Sequence, residues 1–210
     1  EFLKNSTVLI INIPPKLRGN LDENFVAKIR NLLPFIEKSS VQNVLFISST
    51  AVYADENSII TEESIPNPTT ESAKQLLEVE QLLFNNKNFR TVILRFGGLI
   101  GEDRHPIHYL SGRKAIENPN APINLIHQMD CIGIIEKILE QGQDNNYVWN
   151  EIFNAVAPFH PFRKEYYTQK AMDLNLSLPE FVEDKESVGK IIASDKVERV
   201  LNYKFINNLT

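Results

Sequence analysis

Cysteine is almost missing: Cys131 stands alone among 210 residues. No disulfide can form within the chain, and a reducing cytoplasm is the expected compartment. An excess of positive charge is missing too. Acidic residues number 27 against 22 basic, a formal net charge of -5, which disfavours nucleic acid and anionic membranes as partners. No apolar run approaches the roughly 18 residues of a membrane span, and Glu1-Phe2-Leu3-Lys4 does not read as a signal peptide. Glycine is sparse. None of the 8 glycines falls into G-x-x-G-x-x-G or G-x-G-x-x-G, the turn that lets a backbone approach a pyrophosphate beside a helix start.

What is present reads as a globular α/β chain. At 42% hydrophobic, a chain of this length buries about 70% of its unfolded surface. Three runs, Thr7 to Ile13, Asn43 to Ser48 and Arg90 to Phe96, are apolar at successive positions. Such runs suit strands covered on both faces, as in a parallel sheet. Between them, Phe25, Ile29, Leu32, Leu33 and Ile36 recur at helical spacing over Asn24 to Glu37, with Pro34 as a kink or stop. A second helical pattern covers Thr70 to Asn85. This alternation predicts a doubly wound α/β sheet. Further on, the sequence predicts a helix over Asp130 to Leu139 with Asp130 as N-cap, and a strand over Glu151 to Val156. Helices are predicted over Phe162 to Leu174 and over Ser194 to Leu201, the latter capped by Ser194, and loops over 101–124 and 175–189.

One constellation carries chemistry. Ser48-Ser49-Thr50-Ala51-Val52-Tyr53 follows a buried strand, then Glu62-Glu63-Ser64-Ile65-Pro66. Lys74 follows Thr70 by four residues, which puts both on one helical face. Downstream come Leu94-Arg95-Phe96-Gly97-Gly98-Leu99-Ile100-Gly101, Asn124-Leu125-Ile126-His127-Gln128-Met129-Asp130 and Glu151-Ile152-Phe153-Asn154-Ala155-Val156. In this order the segments resemble the extended short-chain dehydrogenase/reductases, the NAD-dependent epimerase/dehydratase family. The resemblance implies a Rossmann-like doubly wound sheet with a small C-terminal substrate subdomain. It places a partial NAD(P)-binding core in 1–100. Residues 101–210 complete that core at about 122–157 and form the subdomain. Against the resemblance about two βα units are absent from this sequence, which reads either as a fragment of a longer parent or as a naturally reduced relative.

Carried onto this chain, the resemblance assigns the reacting site to Ser49, Thr50, Thr70 and Lys74. Cofactor contacts fall to Ile13, Pro14, Lys74, Phe96, Gly97 and Gly98, and substrate contacts to Arg104, His105 and His127. The cofactor is NAD or NADP, because the residue that reads the ribose 2′ position follows a strand outside this sequence. Whether the chain alone holds that cofactor stays open. A homodimer and a nucleotide-linked sugar or related polyol are the implied partners. The departure is Thr70, where the family carries a tyrosine: an aliphatic hydroxyl is far too weak an acid to replace a phenol. Two readings therefore stand, an enzyme with another proton carrier and a non-catalytic binding or scaffold relative.

Bland readings stand beside these. Ser49 and Thr50 serve equally as caps at a strand end, and Lys74 as a solvated helical lysine. His127 reads as a structural histidine, Cys131 as core, and Tyr53 as packing. His105 and His108 form H-x-x-H with no third ligand placed near them, so no metal site is assigned.

Overall fold

A computed structural model describes residues 2–15, 24–144, 146–183, 186–207 and 209. Part of the loop predicted over 175–189 lies outside them. In chain order the elements are β1 (Val8–Ile11), α1 (Phe25–Glu37), β2 (Asn43–Ser49), β3 (Ile59–Ile60) and α2 (Glu71–Phe84). They continue with β4 (Arg90–Phe96), β5 (Gly98–Ile100), α3 (Ile107–Leu110), β6 (Leu125–His127) and α4 (Gln128–Asp144). The last four are β7 (Ile152–Ala155), α5 (Arg163–Asp173), β8 (Ile191–Ile192) and α6 (Asp195–Leu201).

The three apolar runs become β1, β2 and β4. With β7 they form a four-stranded sheet in the order β1-β2-β4-β7, parallel at every pairing. Period-two alternation sends Val44, Phe46 and Ile93 toward one core and Leu45, Val92 and Leu94 toward another. The first core is closed by Phe25, Ile29 and Ile36 of α1 and Leu76, Val79 and Leu83 of α2. The second is closed by Ile134 and Ile138 of α4 and Val197 and Leu201 of α6. This is the doubly wound α/β architecture. Both predicted helices on the first face start at side-chain caps. Asn24 Oδ1 accepts from the Ala27 amide at 2.8 Å, and Thr70 Oγ1 accepts from the Ala73 amide at 3.3 Å. Helix α1 runs through Pro34 rather than ending there.

A third cluster, with Ile100, Ile107, Ile123, Leu125, Tyr167 and Leu209, packs beyond the carboxyl end of the sheet. Here short elements join those that the apolar and helical patterns announce. Strand β5 pairs in parallel with β6, β3 pairs with β8, and α3 lies inside the predicted 101–124 loop. Two caps are corrected. Helix α4 begins before Asp130, which is fully buried. Its carboxylate accepts from Tyr203 Oη (2.9 Å) and the amides of Ile206 (2.7 Å) and Asn207 (3.2 Å). Asp130 is thus the anchor of the C-terminal segment. Ser194 sits at the start of α6, but its Oγ accepts from the Val156 amide at 2.9 Å instead of capping. Among the described residues, no helix is long and apolar enough to cross a membrane.

Replacing Asp130 with Ala separates the two roles. Loss of a cap costs about 1 kcal/mol, whereas stranding a hydroxyl and two amides is expected to cost about 3 kcal/mol. Urea denaturation of the variant measures which holds.

Candidate functional site

Parallel pairing decides which predicted residues meet. Ser49 is in register with Phe96, so β2 and β4 end side by side, with Ser49, Thr50, Gly97 and Gly98 at the carboxyl edge. Strand ends at this edge are where open α/β sheets place ligands. Helix α2 packs on β2, β4 and the turn at 50–52, and Lys74 is exposed in its first turn. Ile13 and Pro14, just past β1, are exposed.

The hydroxyls have local tasks. Ser49 Oγ accepts from the Ala51 amide at 3.2 Å, capping the single 3-10 turn Thr50–Val52. Thr50 is buried. Thr70 is the cap of α2, as its position before an amphipathic run allows. The two glycines also have a structural reason. A Cβ on Gly97 would lie 2.6 Å from the Asn124 carbonyl oxygen and 2.9 Å from Val156 Cγ2, and one on Gly98 would lie 2.7 Å from Leu125 Cδ2. Both let β5 come close to the 124–125 backbone, where the Gly98 amide donates to the Asn124 carbonyl at 2.8 Å.

The substrate-side residues divide between two cavities. A cavity of 340 Å³ on the α4 face is lined by Asn12, Ile47, Phe96, Leu99, Cys131 and Arg104, among others. Burial and the neighbouring Asp130 push the Cys131 thiol up to about 12, so it lines the wall as an inert thiol. A second cavity, of 410 Å³, is lined by His105, His108, His127, Tyr166, Lys170 and Asn207, among others. The two share Ile100 and Gly101. Arg104 thus faces one and His105 the other, because residues 101–104 form a tight turn closed by Gly101 and Arg104 in both directions.

His105 Nδ1 accepts from the Ile107 amide at 3.1 Å. The ring proton is therefore on Nε2, which donates to Tyr166 Oη at 3.0 Å. Burial, aided by the charges of Lys170 and His108, lowers the His105 pKa to about 4. Burial raises Tyr166 to about 12. His127 Nδ1 accepts from the Met129 amide at 3.2 Å and closes the start of α4. Among the described residues, no group of three or more His, Cys, Asp and Glu converges on a metal position.

The sequence reading passed over three contributors. Tyr166 and Lys170 are the chain's one Tyr-x-x-x-Lys spacing, and the structure sets them on α5 rather than α2. Asn124 is a clamp: its Nδ2 donates to the Lys190 carbonyl at 2.8 Å and its Oδ1 accepts from the Ile192 amide at 2.9 Å. Glu62 accepts from the Asn154 amide at 2.8 Å. Glu62 and Asn124 stand at the head of two motif segments, and Tyr166 and Lys170 show in their spacing, but none of these tasks is local to its segment.

No protein-family model matches the chain. Protein YeeZ of Escherichia coli strain K12 is 31% identical over 206 residues, covering 98% of this chain and 73% of YeeZ. The fold is shared with UDP-glucuronic acid 4-epimerase from Bacillus cereus in complex with NAD. That match has a TM-score of 0.79, 18% identity, and covers 99% of this chain and 70% of the other. It is shared also with dTDP-glucose 4,6-dehydratase from Bacillus anthracis in complex with NAD, at TM-score 0.74 and 14% identity over 96% and 68% of the two chains. The chain belongs to the same family as protein YeeZ, and it has the Rossmann-like fold of the NAD-dependent epimerases and dehydratases. That shared fold accounts for the parallel sheet.

His105 gives a pH prediction. A histidine whose folded pKa lies below its unfolded value of 6.5 adds stability that is fully present above pH 6.5. That share is lost as pH falls toward about 4. Unfolding free energy measured across this window should fall less steeply in His105→Gln than in the wild type.

Proposed function

We propose that the protein binds a nicotinamide dinucleotide, NAD or NADP, across the carboxyl ends of β2 and β4 and acts on a nucleotide-linked sugar or related polyol. The observation that carries this is the side-by-side ending of β2 and β4. Ser49 ends β2 in register with Phe96, the last residue of β4, and Phe96 lines a largely apolar cavity with Asn12 and Arg104 in its wall. These residues fit a nicotinamide cofactor: an apolar wall for the ring, and close-approaching backbone at 97–98. When bound, the cofactor supplies a hydride acceptor or donor.

The chain's own groups divide the work. The Ser49 hydroxyl hydrogen-bonds the reacting oxygen, with Thr50 beside it in the same turn. Lys74 holds the cofactor ribose, and Ile13 and Pro14 flank it at the end of β1. Arg104 faces the cofactor-side cavity and offers its planar fork to a phosphate, while His105 and His127 face the adjoining one. The unit around Tyr167 and Leu209 serves as the substrate side. Thr70 moves no proton, since its hydroxyl caps α2, so turnover draws on a water or on another side chain.

That same cap favours a second reading. A relative with threonine at the acid/base position binds cofactor and substrate without turning over, as a sensor or scaffold. Pairing of α1 and α2 between two copies suits either reading.

Calorimetric titration with NADH and NADPH tests the binding. One of the two should bind, and Lys74→Ala should weaken it about tenfold, the worth of a charge-assisted hydrogen bond. No binding of either cofactor contradicts the proposal. Binding without NAD(P)H-coupled turnover of any nucleotide sugar supports the second reading.

A further inference from the structure

The turn that presents Ser49 and Thr50 is held from two sides through one residue, Tyr53, by its side chain and by its carbonyl. From inside, the hold begins at a buried ion pair. Arg95 on β4 and Glu80 on α2 are 2% and 3% exposed, and Arg95 Nε donates to Glu80 Oε1 at 3.0 Å while Nη2 donates to Oε2. Ser48 Oγ donates to the same carboxylate. The remaining donor, Arg95 Nη1, points to Tyr53 Oη, and the guanidinium lies over the Tyr53 ring, 4.9 Å from its centroid. Tyr53 Oη in turn donates to Asn154 Oδ1 on β7 at 3.1 Å.

From outside, Lys190 Nζ donates to the Tyr53 carbonyl and pairs with Asp55 at 3.2 Å. Lys190 cannot drift, because Gly189 and Asn57 exchange two hydrogen bonds of 2.7 and 2.8 Å. The Tyr53 amide closes the turn on the Thr50 carbonyl at 3.2 Å.

We propose that Tyr53 is a positioning residue: locked by Arg95 and Asn154 at its hydroxyl and by Lys190 at its carbonyl, it sets the turn that carries Ser49 and Thr50. It does not touch a ligand itself. At 2% exposure, its phenol cannot reach one. Burial, only partly offset by Arg95, also raises its pKa, so it stays protonated. The role of the turn in binding rests on the cofactor reading above; the hold on the turn does not.

The test uses the full chain with Tyr53→Phe and Lys190→Met, followed by amide hydrogen exchange and by NADH fluorescence titration. Exchange at positions 51 and 53 should quicken at least about tenfold in both variants, since each loses at least one hydrogen bond to a charged group. Leu45 and Ile93 in the sheet should keep their wild-type protection. NADH affinity should fall by a similar factor. Unchanged exchange at 51 and 53, or equal loss of protection across β2 and β4, overturns the proposal. If Tyr53→Phe does not fold, Lys190→Met, which leaves the core intact, decides it alone. Wild-type protein that ignores NADH sinks the cofactor reading, and the exchange data still judge Tyr53.

Discussion

The buried pair of Arg95 and Glu80 is the interaction on which the carboxyl edge of this sheet depends. A guanidinium taken out of water is tolerated only when its donors are met, and here Glu80 takes two nitrogens and Tyr53 the third. Burial pulls the Arg95 pKa down, but Glu80 and Tyr53 together more than offset it, so the net shift is upward and the charge is secure. Such a pair adds little net stability over well-packed apolar residues, yet removal of one partner costs about 3 to 5 kcal/mol. Its consequence is specificity of arrangement. One carboxylate ties α2 to β4 directly and to β2 through Ser48, and Tyr53 extends the tie to β7 through Asn154. The segments that bear Ser49, Lys74 and Gly97 are therefore fixed relative to one another before any ligand arrives.

Much of this frame was legible in the sequence. Runs such as Val44-Leu45-Phe46 announce a strand buried on both faces because no position in them is polar. Asn24 and Thr70 stand at the head of their helical patterns, and in the structure both cap the helix by side chain. The errors share a cause. Asp130 looks like a cap, but its partners Tyr203, Ile206 and Asn207 lie 73 to 77 residues away. Ser194 likewise serves Val156, 38 residues off. Long-range partners leave no mark on local pattern. Strands of two or three residues, β3, β5, β6 and β8, are too short to show a period at all.

The candidate site shows the same division. Ser49 and Phe96–Gly98 were associated in sequence only through the family resemblance, and it is the register of β2 on β4 that ends the two strands side by side. Arg104 and His105 could not be told apart, since a tight turn sends consecutive side chains to different cavities. The glycines at 97 and 98 carry two demands at once. Their missing Cβ atoms admit the 124–125 backbone, and that demand exists with or without a cofactor. A glycine pair in such a motif is therefore weaker evidence of ligand approach than its place in the family pattern suggests, whereas the edge formed by β2 and β4 is stronger evidence.

The central claim is that this carboxyl edge is where a nicotinamide dinucleotide binds. The most direct measurement is a heteronuclear NMR titration of the isotopically labelled chain with NADH. Saturable shifts confined to Ser49–Ala51, Phe96–Gly98 and the first turn of α2 are the predicted result. No saturable shifts, or shifts gathered at the opposite edge around Asn85–Asn88, would contradict it.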